Sequence, residues 1–157
     1  MQQPVYKVLG VVLVLYSLIF GLLTSIPDLP IIEESIRNLF YHVSMWFAMV
    51  AMMAGSFAYS IAFLRRENLQ ADTRTEALTE TGMLFAFLGL FSGMIWARFT
   101  WGAWWTNDPK LNGSAITILI YLAYFILRNG IKDERKKARI SAVYNIFAFV
   151  MMIVFIG

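Results

Sequence analysis

Three tryptophans stand within five residues in Trp101-Gly102-Ala103-Trp104-Trp105-Thr106-Asn107-Asp108-Pro109-Lys110, and an acid and a base follow them closely. The chain holds just five tryptophans in all, and a single histidine, His42. Indole rings gathered in this way can offer a flat aromatic platform to a large planar ligand. A neutral imidazole is a common metal ligand, haem iron included. Each feature also has a plainer reading. Tryptophans collect at headgroup level in many membrane proteins, and a histidine at that depth can simply bond to a neighbouring helix or to water. The two readings part on whether the fold brings imidazole and indoles to one place.

The elements that would do so are apolar and long. Of 157 residues 59% are hydrophobic and 15% charged, against roughly 25% charged in soluble proteins. Continuous apolar runs of about 20 residues are the mark of helices crossing a hydrocarbon core ~30 Å thick. Backbone polar groups in lipid must be satisfied internally, and the runs do not alternate as barrel strands do. The reading is therefore all-α, a polytopic transmembrane helical bundle. Five spans are predicted: Val5 to Thr24, Phe40 to Leu64, Ala77 to Ala97, Gly113 to Leu127 and Ile140 to Ile156. The first lacks a basic start and a small-residue cleavage site, so it reads as a retained span and not a signal peptide. With no cysteine in the chain, disulfides and thiolate metal sites are excluded.

Charge orients these spans. Residues 65–76 hold three basic side chains and 128–139 hold six; with Lys7 these make ten of the thirteen lysines and arginines. The positive-inside rule places the N-terminus and both of these connections in the cytoplasm. The basic balance thus follows membrane orientation and does not call for a nucleic-acid partner. Two segments face outward, Ser25 to Asn38 and Arg98 to Asn112. Ile31–Leu39 is expected to form a short helix lying on the membrane. His42, one turn into the second span, then shares its depth with the tryptophan segment some 60 residues away. An iron ligand beside indoles is the smallest set of groups that would hold a porphyrin.

Other residues have structural readings. Ser44, Ser56, Ser60, Ser92, Thr117 and Asn145 should bond across helices or back to their own backbone. Met45, Met49, Met52 and Met53 follow helical spacing and read as packing, with Met45 or Met94 as a less favoured soft ligand to iron. Gly82, Gly89 and Gly93 would let a neighbouring helix come close to the third span. The apolar runs carry no charged residue deep inside, which argues against ion-coupled transport.

At these residues the chain resembles the haem-handling cytochrome c assembly family, CcmC-type members most closely. The family segment W-G-x-W-W-x-W-D-x-R-L is matched by Trp101-Gly102-Ala103-Trp104-Trp105-Thr106-Asn107-Asp108-Pro109-Lys110-Leu111, and its histidine context by Tyr41-His42-Val43. Asn107 stands where the family has a fourth tryptophan. Lys110 stands for an arginine, keeping the charge but losing the bidentate fork. The resemblance implies a single transmembrane cytochrome c assembly domain over 1–157, with the outward segment at about 98–112. It implies non-covalent, transient haem b as ligand, with His42 an axial ligand to iron. Trp101, Trp104 and Trp105 would pack the macrocycle edge, Gly102 would let the backbone approach it, and Asp108 and Lys110 would lie near its polar rim. It further implies a bacterial cytoplasmic (inner) membrane protein, with the tryptophan segment periplasmic. Haem would pass to a periplasmic haem chaperone among other cytochrome c maturation membrane subunits. Because the family has a sixth span and a second histidine after the fifth, a fragment is the expectation at Gly157. No acid, base or nucleophile points to catalysis. The alternatives are a structural assembly subunit with tryptophans as interface anchors, or a small-molecule membrane carrier.

Overall fold

The computed structural model describes residues 4–26 and 36–156, which form five helices: α1 (Val5–Leu23), α2 (Arg37–Arg66), α3 (Leu69–Trp101), α4 (Pro109–Asn129) and α5 (Glu134–Ile156). All five are long and apolar enough to cross a membrane, and the chain is an integral membrane protein of all-α class. The surface helix expected over Ile31–Leu39 falls mostly on 27–35, outside the described residues, and Arg37 to Leu39 already belong to α2.

The largest correction concerns 65–76, expected as a loop. Arg65 and Arg66 are the last turn of α2, and residues 69–76 are the first two turns of α3. The connection is just Glu67 and Asn68. Glu67 adopts the left-handed conformation (φ 49°) and donates its N–H to the Phe63 carbonyl at 2.7 Å. Asn68 caps α3, its side chain accepting from the Gln70 N–H at 3.0 Å, as asparagine does at helix N-termini. At 33 residues and ~1.5 Å rise each, α3 is about 50 Å long, well beyond a ~30 Å hydrocarbon core. The charged turns lie in this excess. Helices α2, α4 and α5 likewise begin or end a few residues beyond the predicted limits, α5 starting six residues early at Glu134, whereas α1 ends one residue before its predicted limit.

Two antiparallel hairpins, α2/α3 and α4/α5, pack together with α5 against α2. Met49, Met53, Met83, Ala86, Ile118, Tyr121, Ala148 and Met152 form the core between them. Flexible thioethers fill the gaps left by the small residues opposite. A polar seam crosses the same interface. Asn145 donates to the hydroxyls of Ser56 and Ser60, both at 2.8 Å, and Ser56 pairs with Thr79 at 2.6 Å. Ser44 bonds back to the Phe40 carbonyl, while the buried Thr117 hydroxyl finds no partner among the described residues. Helix α1 stands apart, with none of its residues buried among the described ones. It meets α2 through Tyr41, which donates to the Leu18 carbonyl at 3.1 Å, and Arg37, which donates to the Gly21 carbonyl at 2.9 Å.

The hairpin of α4 and α5 depends on Gly113. A Cβ there would collide with the carbonyl oxygen of Phe155 and lie 3.1 Å from its carbonyl carbon. Backbone cannot rotate away as a side chain can. Gly113→Ala is therefore expected to destabilise the bundle by about 1–3 kcal/mol, the range for overpacking. It should be read as a lower thermal midpoint in detergent micelles; an unchanged midpoint would show that the two helices are not held this tightly.

Candidate functional site

His42 and Trp46 lie four residues apart on α2 and so share one face. Their rings meet edge to face, centroids 6.1 Å apart at 72°. The seat for both is on α3. A Cβ on Gly93 would lie 3.0 Å from Cε1 of His42, and one on Gly89 would lie 3.1 Å from Cε2 of Trp46. Gly82 likewise receives Met53. The glycine stripe thus lets α2 approach α3, as its spacing predicts, and two of its three positions carry the rings of His42 and Trp46.

Hydrogen bonds fix the imidazole further. Its Nδ1 is 3.0 Å from the Ser92 hydroxyl, which donates to the Gly89 carbonyl at 3.0 Å. Asn38, one turn before His42, donates its side-chain N–H to the Ser92 carbonyl at 2.8 Å. The two helices are therefore in fixed register at this level.

At the end of α3, Gly102 adopts the left-handed conformation (φ 78°) and returns its N–H to the Arg98 carbonyl at 3.1 Å. Arg98 in turn donates to the Gly102 carbonyl. Nothing lies within 4 Å of where a Gly102 Cβ would be, so the glycine answers to backbone conformation, as at many helix C-termini. The chain then turns through 102–108 into α4. Asp108 caps that helix, accepting the Leu111 N–H at 2.8 Å, with Pro109 just inside it. Trp105 donates its indole N–H to the Asn112 side chain, which donates to that of Asn107, both at 3.1 Å. This short chain of bonds folds the segment onto the first turn of α4.

These elements enclose a cleft of about 410 Å³, within the ~300–1,000 Å³ range of ligand sites. His42, Trp46, Trp96 and Trp101 line it. Val43, Phe47, Val50 and Leu90 make its walls apolar, and Asp108 and Lys110 bring its charged groups. One carboxylate oxygen of Asp108 is engaged as the helix cap.

Of the residues singled out in the sequence, the fold brings His42, Trp101, Asp108 and Lys110 to one cleft. Trp104 and Trp105 are half-exposed and, with Gly102, lie outside its lining. Met45 and Met94 lie outside it as well. Trp46 and Trp96, not singled out in the sequence, line the cleft beside His42. Their signal in the sequence was the i, i+4 pair His42/Trp46 and the Gly89-Gly93-Trp96 spacing opposite.

The family described as "Heme exporter protein C" matches residues 1–156. Heme exporter protein C of Bradyrhizobium diazoefficiens is 31% identical over 113 residues, 71% of this chain and 43% of that protein. Its namesake in Haemophilus influenzae is 25% identical over 150 residues, 96% of this chain and 61% of that protein. Cytochrome c biogenesis protein CcsA of Prochlorococcus marinus is 35% identical over 97 residues, 62% of this chain and 29% of that protein. The chain spans less than two thirds of each of these relatives.

Proposed function

The chain belongs to the heme exporter protein C family, and on that premise we propose that it binds haem in the cleft beside His42. It presents the haem at the outer face of the membrane to a periplasmic haem chaperone, for cytochrome c biogenesis. The observation that carries the reading is the meeting of the chain's single imidazole with three indoles in one apolar cleft that also holds a lysine. Among the described residues no group of three His, Cys, Asp or Glu side chains is placed to hold a metal ion.

The residues present fit such a ligand. The His42 imidazole would supply a nitrogen ligand to iron. Trp46, Trp96 and Trp101 offer aromatic surface to the macrocycle. Lys110 has no ion pair among the described residues and can pair a propionate, with one contact where arginine would give two. Asp108 shapes the rim as the cap of α4. Trp104 and Trp105 form the exposed edge that a receiving partner or the headgroup layer meets. Haem supplies the redox-active iron as cargo; the protein's part is to hold, orient and release it. The ends bearing Arg65, Arg66, Lys132 and Lys136 face the cytoplasm by the positive-inside rule. Other cytochrome c maturation membrane subunits and membrane lipid are its further partners.

Purified protein supplied with haem b is expected to show an imidazole-ligated Soret band. His42→Ala should shift that band and weaken haem retention at least about tenfold, the lower end for lost metal-site interactions. An unchanged spectrum would remove the ligand assignment, and absence of retention in both proteins would refute haem binding by this chain.

A further inference from the structure

We infer that Ser92 is a positioning residue for His42: its hydroxyl accepts a hydrogen bond from Nδ1–H and so leaves Nε2 as the unprotonated nitrogen of a ring that lines the cleft. The argument is a proton count. A serine hydroxyl has one proton and two lone pairs. Ser92 Oγ lies 3.0 Å from the Gly89 carbonyl oxygen. Two oxygens at that separation attract when a proton lies between them, and the carbonyl has none to give. The Ser92 proton therefore points at Gly89, and the hydroxyl turns a lone pair toward His42 Nδ1, 3.0 Å away. A neutral imidazole carries one N–H, which this arrangement holds on Nδ1.

Three further contacts keep the geometry. Asn38 donates to the backbone carbonyl of Ser92 at 2.8 Å, locking the register of α2 against α3. Gly93, next to Ser92, leaves room for the ring, whose Cε1 would be 3.0 Å from a Cβ there. Trp46 meets the ring edge to face. Among the described residues the hydrogen-bond partners of the imidazole are the Ser92 hydroxyl and the backbone of Gly89. The opposite tautomer would set the Nδ1 lone pair against the hydroxyl lone pair, or turn the Ser92 proton away from the Gly89 carbonyl. Histidines that bind metals commonly donate their other ring N–H in this way, which fixes orientation and raises basicity. Here the acceptor is a hydroxyl and not a carboxylate. Such a partner orients the ring while adding no negative charge, which suits a ligand that must later be released.

The consequence for haem rests on the function proposed above; the tautomer does not, and the two are tested apart. Because the chain has one histidine, protein labelled with ¹⁵N-histidine gives a single pair of imidazole signals. At about pH 8, above the ordinary imidazole range, haem-free wild type should show Nδ1 protonated and Nε2 bare. Ser92→Ala should shift the population toward Nε2–H, and Ser92→Thr, which keeps the hydroxyl, should restore the wild-type pattern. With haem b supplied, Ser92→Ala should lose about 10- to 100-fold in affinity. An Nε2–H pattern in wild type overturns the inference even if no variant folds, and so does a Ser92→Ala spectrum identical to wild type. The expected nitrogen pattern without any haem retention would leave the tautomer standing and refute the haem reading instead.

Discussion

Arg128→Ala is expected to cost about 3–5 kcal/mol of stability, the range for removing one partner of a buried ion pair. Arg128, in the last turn of α4, is 4% exposed, and Asp72, in the first turn of α3, is 8% exposed. The guanidinium grips Asp72 with two parallel bonds of 2.9 and 2.7 Å. It reaches Glu76 through Nε at 2.8 Å and through Nη2 at 2.9 Å. Both helix ends favour the charge they carry, an acid at an N-terminus and a base at a C-terminus. Removing Arg128 leaves a buried carboxylate unpaired beside a second acid. Arg128→Lys should fall between, because an ammonium cannot match four oxygens with a planar fork. Adding Asp72→Asn and Glu76→Gln to Arg128→Met should recover much of the loss, since a neutral set removes the stranded charge. Thermal midpoints in micelles would read the series. A loss below about 1 kcal/mol for Arg128→Ala would mean that water reaches the carboxylates and that the pair behaves as a surface one.

The same triad explains why one part of the fold was hard to read in the sequence. Hydrophobic runs announce the five helices, since lipid leaves the backbone no other choice. They cannot announce the turns that extend past the apolar stretch. Asp72 and Glu76 look like loop residues until Arg128, more than fifty residues away, is known to meet them, and that meeting is tertiary. It also qualifies the argument against ion-coupled transport. A buried carboxylate is present, but it is spent on a guanidinium. The site divides in the same manner. His42 and the segment from Trp101 to Lys110 stand out by residue type alone. Trp46 and Trp96 do not, because density along the chain marks only the segment from Trp101 to Trp105, whereas the cleft is assembled by periodicity across two helices. Asp108-Pro109 is also a helix start, an acid followed by proline, which the predicted span from Gly113 passes over. The order of residues in Asp108-Pro109-Lys110 thus reflects the cap of α4 as well as the rim of the cleft.

Gly93→Leu is expected to weaken haem binding by about 100-fold, as much as loss of an essential metal-site partner, while the helices remain folded. The glycine is the floor on which the imidazole rests. Even a methyl group would come within 3.0 Å of Cε1 and 3.6 Å of Nδ1, so Gly93→Ala must push the ring aside by a few tenths of an ångström. That displacement loosens the Ser92 contact, and about tenfold is the expected loss. Leucine fills the volume the ring occupies and must expel it. Stability should respond far less than binding. The displaced group is a side chain facing a cleft, with room to move, whereas Gly113 faces the carbonyl of Phe155. Gly55→Ala supplies the comparison on α2. Its Cβ would lie 3.2 Å from a Leu78 methyl, a contact that involves no residue of the cleft lining, so haem binding should be unaltered. Titrating haem b into the three variants, with thermal midpoints recorded alongside, separates the cases. Wild-type affinity in Gly93→Leu would mean that iron does not depend on the seat of His42. A parallel fall of stability and affinity across all three would mean that the glycines serve the bundle alone.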